Sequence, residues 1–138
     1  MSALPSGLPL IVEEDEPLAR FMTSSSWFAR TTRRVKHNAF LPAPDDDTSV
    51  FRARDLPPEA LWKIGEEAMP DVGFHGAGIV KASLVRKATL DVIAGEPPPR
   101  HANIRGWPKN DDPELQKAAR KKIAMSVAEE ALFVPRDQ

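Results

Sequence analysis

Arg34-Val35-Lys36-His37-Asn38-Ala39-Phe40-Leu41, then Pro42-Ala43-Pro44-Asp45-Asp46-Asp47, then Thr48-Ser49-Val50-Phe51-Arg52-Ala53-Arg54, is the stretch on which a fold can be built. In the first run Val35, His37, Ala39 and Leu41 share one side, and Arg34, Lys36, Asn38 and Phe40 the other. A period of two is that of a strand, because successive side chains of a pleated chain point to opposite faces. The last run alternates again, with Ser49, Phe51 and Ala53 opposed to Val50, Arg52 and Arg54. Proline and aspartate in the link favour turn geometry. Together the three pieces predict an antiparallel hairpin over about residues 34–54.

Helical signals follow. Pro57-Pro58 suits a first turn, where the missing N–H would have had no partner anyway. Ala60, Leu61, Ile64 and Ala68 then make an apolar stripe that Pro70 ends, with Asp55 expected as the cap. Near the other end, Asp111 or Asp112 caps a helix with Pro113 in its first turn. Its Leu115, Ala119, Ile123 and Val127 recur every four residues and are expected to face the core, with Lys117, Arg120 and Lys121 outward. Between these helices, Ile79-Val80 and Leu90 to Ile93 read as short strands around a brief helix from Ser83 through Ala88. Glu16 to Met22 reads as one or two helical turns capped by Asp15.

The predicted fold class is α+β: a small antiparallel sheet begun by the hairpin, with two or three helices packed on one face. Residues 1–16 have small residues, prolines and the run Glu13-Glu14-Asp15-Glu16, which reads as a mobile acidic arm. Residues 17–138 read as a single domain.

The 138 residues, with 41% hydrophobic and 28% charged, match an ordinary globular mix. With 19 Lys+Arg against 20 Asp+Glu, the net charge of −1 gives no support to a nucleic-acid binder, although a local patch leaves that partner open. Cysteine is absent, which excludes disulfides, thiolate metal sites and thiol nucleophiles and accords with a reducing cytoplasm. No basic residue precedes the short apolar run Leu8 to Val12, so no signal peptide is expected. No run approaches the roughly 20 apolar residues of a membrane span, so no membrane partner is expected.

The segment Pro97-Pro98-Pro99-Arg100-His101-Ala102-Asn103-Ile104-Arg105-Gly106-Trp107-Pro108 resembles one in a group of short, uncharacterised bacterial proteins. The resemblance extends through Ala39-Phe40-Leu41-Pro42 and Ser49-Val50-Phe51-Arg52, and covers about residues 28–134. It implies a discrete small domain and a bacterial source. It implies no activity and carries over no catalytic or binding residue.

Two segments carry candidate chemistry. In an extended Arg100–Trp107, His101, Asn103, Arg105 and Trp107 fall on one side. With Arg100, that set offers bidentate hydrogen bonds, stacking and a titratable imidazole, enough to hold a phosphate, a carboxylate or a planar base. Its plain structural alternative is that His101 and Asn103 satisfy backbone groups while Trp107 fills the core. The second candidate is the hairpin's polar face. Opposed residues of an antiparallel pair share a side, so Arg34, Lys36, Arg52 and Arg54 would form one cationic patch, extended by Arg30 and Arg33. Its alternative is an ordinary solvated face partly neutralised by Asp45–Asp47.

Other motifs are weaker. Gly73-Phe74-His75-Gly76-Ala77-Gly78 is rich in glycine but lacks the dinucleotide pattern and a Gly-Lys-Ser/Thr ending. His37, His75 and His101 are the three histidines, and none has a metal-ligand spacing with another. No nucleophile-elbow pattern is present. No cofactor and no metal are therefore expected. The leading functional expectation is a non-enzymatic binding module for an anionic or protein partner. The alternative is a small enzyme acting on a phosphorylated or nucleotide-like substrate, with His101 as general acid or base.

Overall fold

The computed structural model describes residues 4–136. Strands β1 (Pro17–Phe21), β2 (Phe28–Ala29), β3 (Arg34–Val35), β4 (Thr48–Arg52), β5 (Gly76–Lys81), β6 (Asp91–Ala94), β7 (His101–Arg105) and β8 (Leu132–Pro135) alternate with helices α1 (Pro58–Ala68), α2 (Ala82–Lys87) and α3 (Pro113–Glu129). The strands form one sheet in the order β2-β3-β8-β5-β1-β4-β7-β6, antiparallel at every pairing. The class is α+β, but the sheet is large rather than small.

The expected hairpin does not form. β3 keeps only two residues and pairs with β2 and β8, whereas β4 lies between β1 and β7. After Val35 the chain winds into a 3-10 helix at His37–Ala39. Ala39 and Phe40, which strand alternation puts on opposite faces, are both buried in the same cluster with Ala124, Val127 and Ala128 of α3. Burying both apolar neighbours against a helix outweighs the local two-fold pattern. Thr48 Oγ1 ties the turn down by donating to the Phe40 carbonyl at 2.8 Å.

Glu16 to Met22 is also extended rather than helical. β1 is a central strand, and Pro17 opens it, the one interior position where proline costs no ladder bond. Leu18 and Met22 join one core cluster and Ala19 and Phe21 another, so both faces of the sheet are covered. Leu61 of α1 belongs to the second cluster, whereas Ala82 and Val85 of α2 belong to the first with α3. The helices thus divide between the two faces instead of sharing one.

The helical readings hold best at their starts. Asp112 caps α3 by accepting from Glu114 N and Leu115 N. The stripe departs from expectation at its beginning: Leu115 is exposed, and the buried residues of α3 are Ala124, Val127 and Ala128 in its second half. Arg120, expected outward, turns in to bond the Pro108 carbonyl and Asp46. Pro57 caps α1 with no side-chain bond, so Asp55 does not serve.

Gly76 and Gly78 lie within β5 and not in a phosphate loop. Gly76 has φ +151°, and a Cβ there would stand 2.2 Å from the Val134 carbonyl oxygen on β8. Gly76→Ala should therefore destabilise the fold by at least about 1–3 kcal/mol from backbone strain alone. A thermal melt checks this, and an unchanged melting temperature would contradict it.

Residues 8–16 differ most from the expected mobile arm. Leu8 and Val12 are buried, and Glu16 is 1% exposed. Glu16 meets Arg52, itself 0% exposed, through two bonds of 2.8 Å. Arg52 also donates to the carbonyls of Pro9 at 2.7 Å and Ile11 at 3.5 Å. A buried guanidinium needs several acceptors, and this segment of the chain provides them.

Candidate anion-binding groove

The predicted site residues separate into four places. Arg52 is buried in the clamp just described, so the four-cation face of Arg34, Lys36, Arg52 and Arg54 does not exist. β4 is a central strand, and on the side of Arg52 it is covered by the chain's first segment. Arg54 is half-buried there. Arg100 braces the same region, with Nη1 donating to the carbonyls of Arg52 at 3.0 Å and Arg54 at 2.9 Å.

Trp107 is not on the side of His101 either. Gly106 has φ +95°, which turns the chain and sends the indole into the core with Ile104. Its Nε1 has no hydrogen-bond partner among the described residues. His101, Asn103 and Arg105 do share the expected side of β7. Arg105 is paired with Asp47 at 3.1 Å, and both His101 nitrogens have partners. No free guanidinium converges on His101, so the clamp that a phosphorylated substrate would need is missing from this face.

Arg34 and Lys36 are exposed and line a groove of about 670 Å³. Its walls are the β2–β3 turn, the 3-10 helix and the last turns of α3. Arg33, Arg34, Lys36 and His37 come from one side, and Met125, Ala128 and Glu129 from the other. The local folding explains the convergence. Lys36 N donates to the Trp27 carbonyl, and the Arg33 carbonyl accepts from Phe133 N, which fixes the turn against the sheet. Arg33 holds a left-handed φ of +59°, an uncommon conformation for a side chain of this size.

The groove is electropositive. Arg33, Arg34 and Lys36 make no ion pair among the described residues, whereas Arg86, Arg105, Lys109, Arg120 and Arg136 all do. His37 is held below the ordinary imidazole range by burial and then by the positive charge of Lys121. Glu129 is the one acid in the lining, beside the negative end of the α3 dipole. The floor is apolar, with Val35, Ala128 and Ala131, and Met125 and Leu132 are 50% and 58% exposed. Sequence reasoning found Arg34 and Lys36 but missed Met125 and Leu132, which reach the site from almost a hundred residues away.

A second cleft of about 80 Å³ lies between α1 and Pro98-Pro99. No group of three or more acids and histidines that could hold a metal ion stands together among the described residues. No described helix is long and apolar enough to cross a membrane. Compared with known proteins, the chain matches no family model, and no curated protein or solved structure matches it.

Proposed function

We propose that this chain is a binding module that takes an acidic segment of a partner protein in the groove beside β3. The observation that carries this is the combination of Arg33, Arg34 and Lys36, all without carboxylate partners among the described residues, over an apolar floor that leaves Met125 and Leu132 uncovered. An extended peptide with alternating acidic and apolar residues complements both features. Single-stranded nucleic acid complements chiefly the charge, because base stacking uses aromatic faces and the His37 imidazole is the one such ring in the lining. Protonation of His37 adds a cation, so binding strengthens as pH falls through its lowered pKa.

The test is a fluorescence anisotropy titration with a labelled peptide of alternating Glu and Leu. Controls are the same peptide with Lys for Glu and an unlabelled poly-dT oligonucleotide as competitor. The acidic peptide should bind and weaken with salt, since exposed charges are screened within about 10 Å at 0.1 M. Equal binding of the basic peptide, or ready displacement by the oligonucleotide, would overturn the reading.

A further inference from the structure

Ser49 lies on β4 with its side chain exposed, on the face opposite the core residue Val50. Its Oγ is 2.6 Å from His101 Nε2, and His101 Nδ1 is 2.9 Å from the Gly95 carbonyl oxygen. A carbonyl oxygen only accepts, so Nδ1 carries a proton. In the neutral ring Nε2 is then the acceptor, and the Ser49 hydroxyl must donate to it. The order is hydroxyl, imidazole, fixed acceptor, the arrangement that activates a serine nucleophile.

The imidazole is held from three directions. Phe51 meets it edge-on, with ring centroids 5.3 Å apart. The Gly95 N–H donates to the His101 carbonyl at 2.9 Å, and His101 N donates to the Pro98 carbonyl at 3.1 Å, which closes the β6–β7 turn around the ring. Gly95 must be small for this approach: a Cβ there would lie 3.1 Å from His101 Nδ1 and 2.7 Å from Asn103 Nδ2. Asn103 stands directly across from Ser49, and Ile93 directly across from Asn103. The Asn103 side chain makes no hydrogen bond among the described residues, so its amide N–H groups are free to meet a negative oxygen.

We infer that Ser49 and His101 form a hydrolytic pair for small carboxylic esters, with the Gly95 carbonyl orienting the imidazole and Asn103 as oxyanion donor. Ser49 Oγ attacks the ester carbonyl carbon and its proton passes to His101 Nε2. The carbonyl oxygen, now negative, is met by the Asn103 amide. Collapse breaks the bond to the leaving oxygen, which takes the proton from Nε2 and departs as an alcohol. Water then attacks the acyl-serine with His101 as base, releasing the carboxylic acid and restoring the Ser49 hydroxyl. Ile93, 40% exposed beside Asn103, gives a short acyl chain an apolar contact. Ser49 is exposed at the surface, which suits small activated esters rather than long chains.

The experiment uses the full chain with p-nitrophenyl acetate as substrate and a fluorophosphonate as label. In labelling, the Ser49 oxygen–phosphorus bond forms as fluoride leaves. Peptide mass mapping should find the adduct on Ser49. Ser49→Ala and His101→Ala should each lower ester hydrolysis about a hundredfold, the scale of positioned general base catalysis. Asn103→Ala should lower kcat with little change in KM. An unmodified Ser49 in the labelled wild-type chain, a result independent of any variant's folding, would overturn the proposal. So would a Ser49→Ala protein that keeps the wild-type rate.

Discussion

Arg52→Ala should lower the stability of this fold by about 3–5 kcal/mol, because it leaves the buried Glu16 carboxylate without its partner. For a chain of this length that is a fall of roughly 10–20 °C in melting temperature. The same change also leaves the carbonyls of Pro9 and Ile11 without the guanidinium that binds them, so the segment from Leu8 to Val12 should become open to protease. Replacing both charges at once, Glu16→Leu with Arg52→Met, should cost much less than either single loss, since no buried charge is then stranded. The pair also makes a pH prediction. Burial pushes the Glu16 pKa up, but bonds from Arg52 and Glu13 N and the charges of Arg52 and Arg54 outweigh it and hold the carboxyl below its ordinary value of 4.5. A lowered folded-state pKa means a contribution fully present above the unfolded value and lost as pH falls through the folded one. The stability difference between wild type and Glu16→Gln should therefore be largest near neutrality and shrink as pH falls below about 4.5. A difference that is constant between pH 7 and pH 3, read by melting, would contradict the clamp.

The second large effect is on binding. Arg34→Glu with Lys36→Glu should weaken the acidic peptide at least tenfold, or about 1.4 kcal/mol, because two attractions become repulsions. The fold should be unaffected, since both side chains are exposed and make no ion pair among the described residues. Arg105→Glu is the matched control. Combined with Lys109→Glu it changes the net charge by the same amount as the groove variant, at residues already paired with Asp47 and Asp46, and should leave binding nearly unchanged. Equal losses from the two variants would mean that net charge, not the groove, governs attraction.

Parts of this molecule were legible before any coordinates. α1 begins where Pro57-Pro58 predicted and α3 where Asp112 and Pro113 did, because a first-turn proline and a capping side chain act locally. Thr48 to Arg52 is extended as its alternation implied, and His101 to Arg105 lies in the piece read as extended. Partners were not legible. Alternation shows that a segment is a strand but not which strand lies beside it, so β3 and β4 read as neighbours although three strands, β8, β5 and β1, stand between them. Nor does alternation distinguish a solvated face from one covered by distant chain. Arg52 looked like a surface cation for that reason, since Glu16 lies 36 residues away and was read as part of a free arm. Ser49 carried no signal at all, because its bond to His101 spans 52 residues and depends on the β4–β7 register. Trp107 was misplaced by one torsion, the positive φ of Gly106 that ends the alternation one residue early.

The central claim is that the groove between β3 and the end of α3 is the contact surface, and a titration of the isotopically labelled chain followed by amide NMR tests it most directly. On addition of the alternating Glu and Leu peptide, shift changes should concentrate at residues 29–38 and 125–132, which surround the groove, and should fade in the Arg34→Glu, Lys36→Glu protein. Shift changes centred instead on residues 49 and 101–105, or spread evenly over the surface in both proteins, would contradict it.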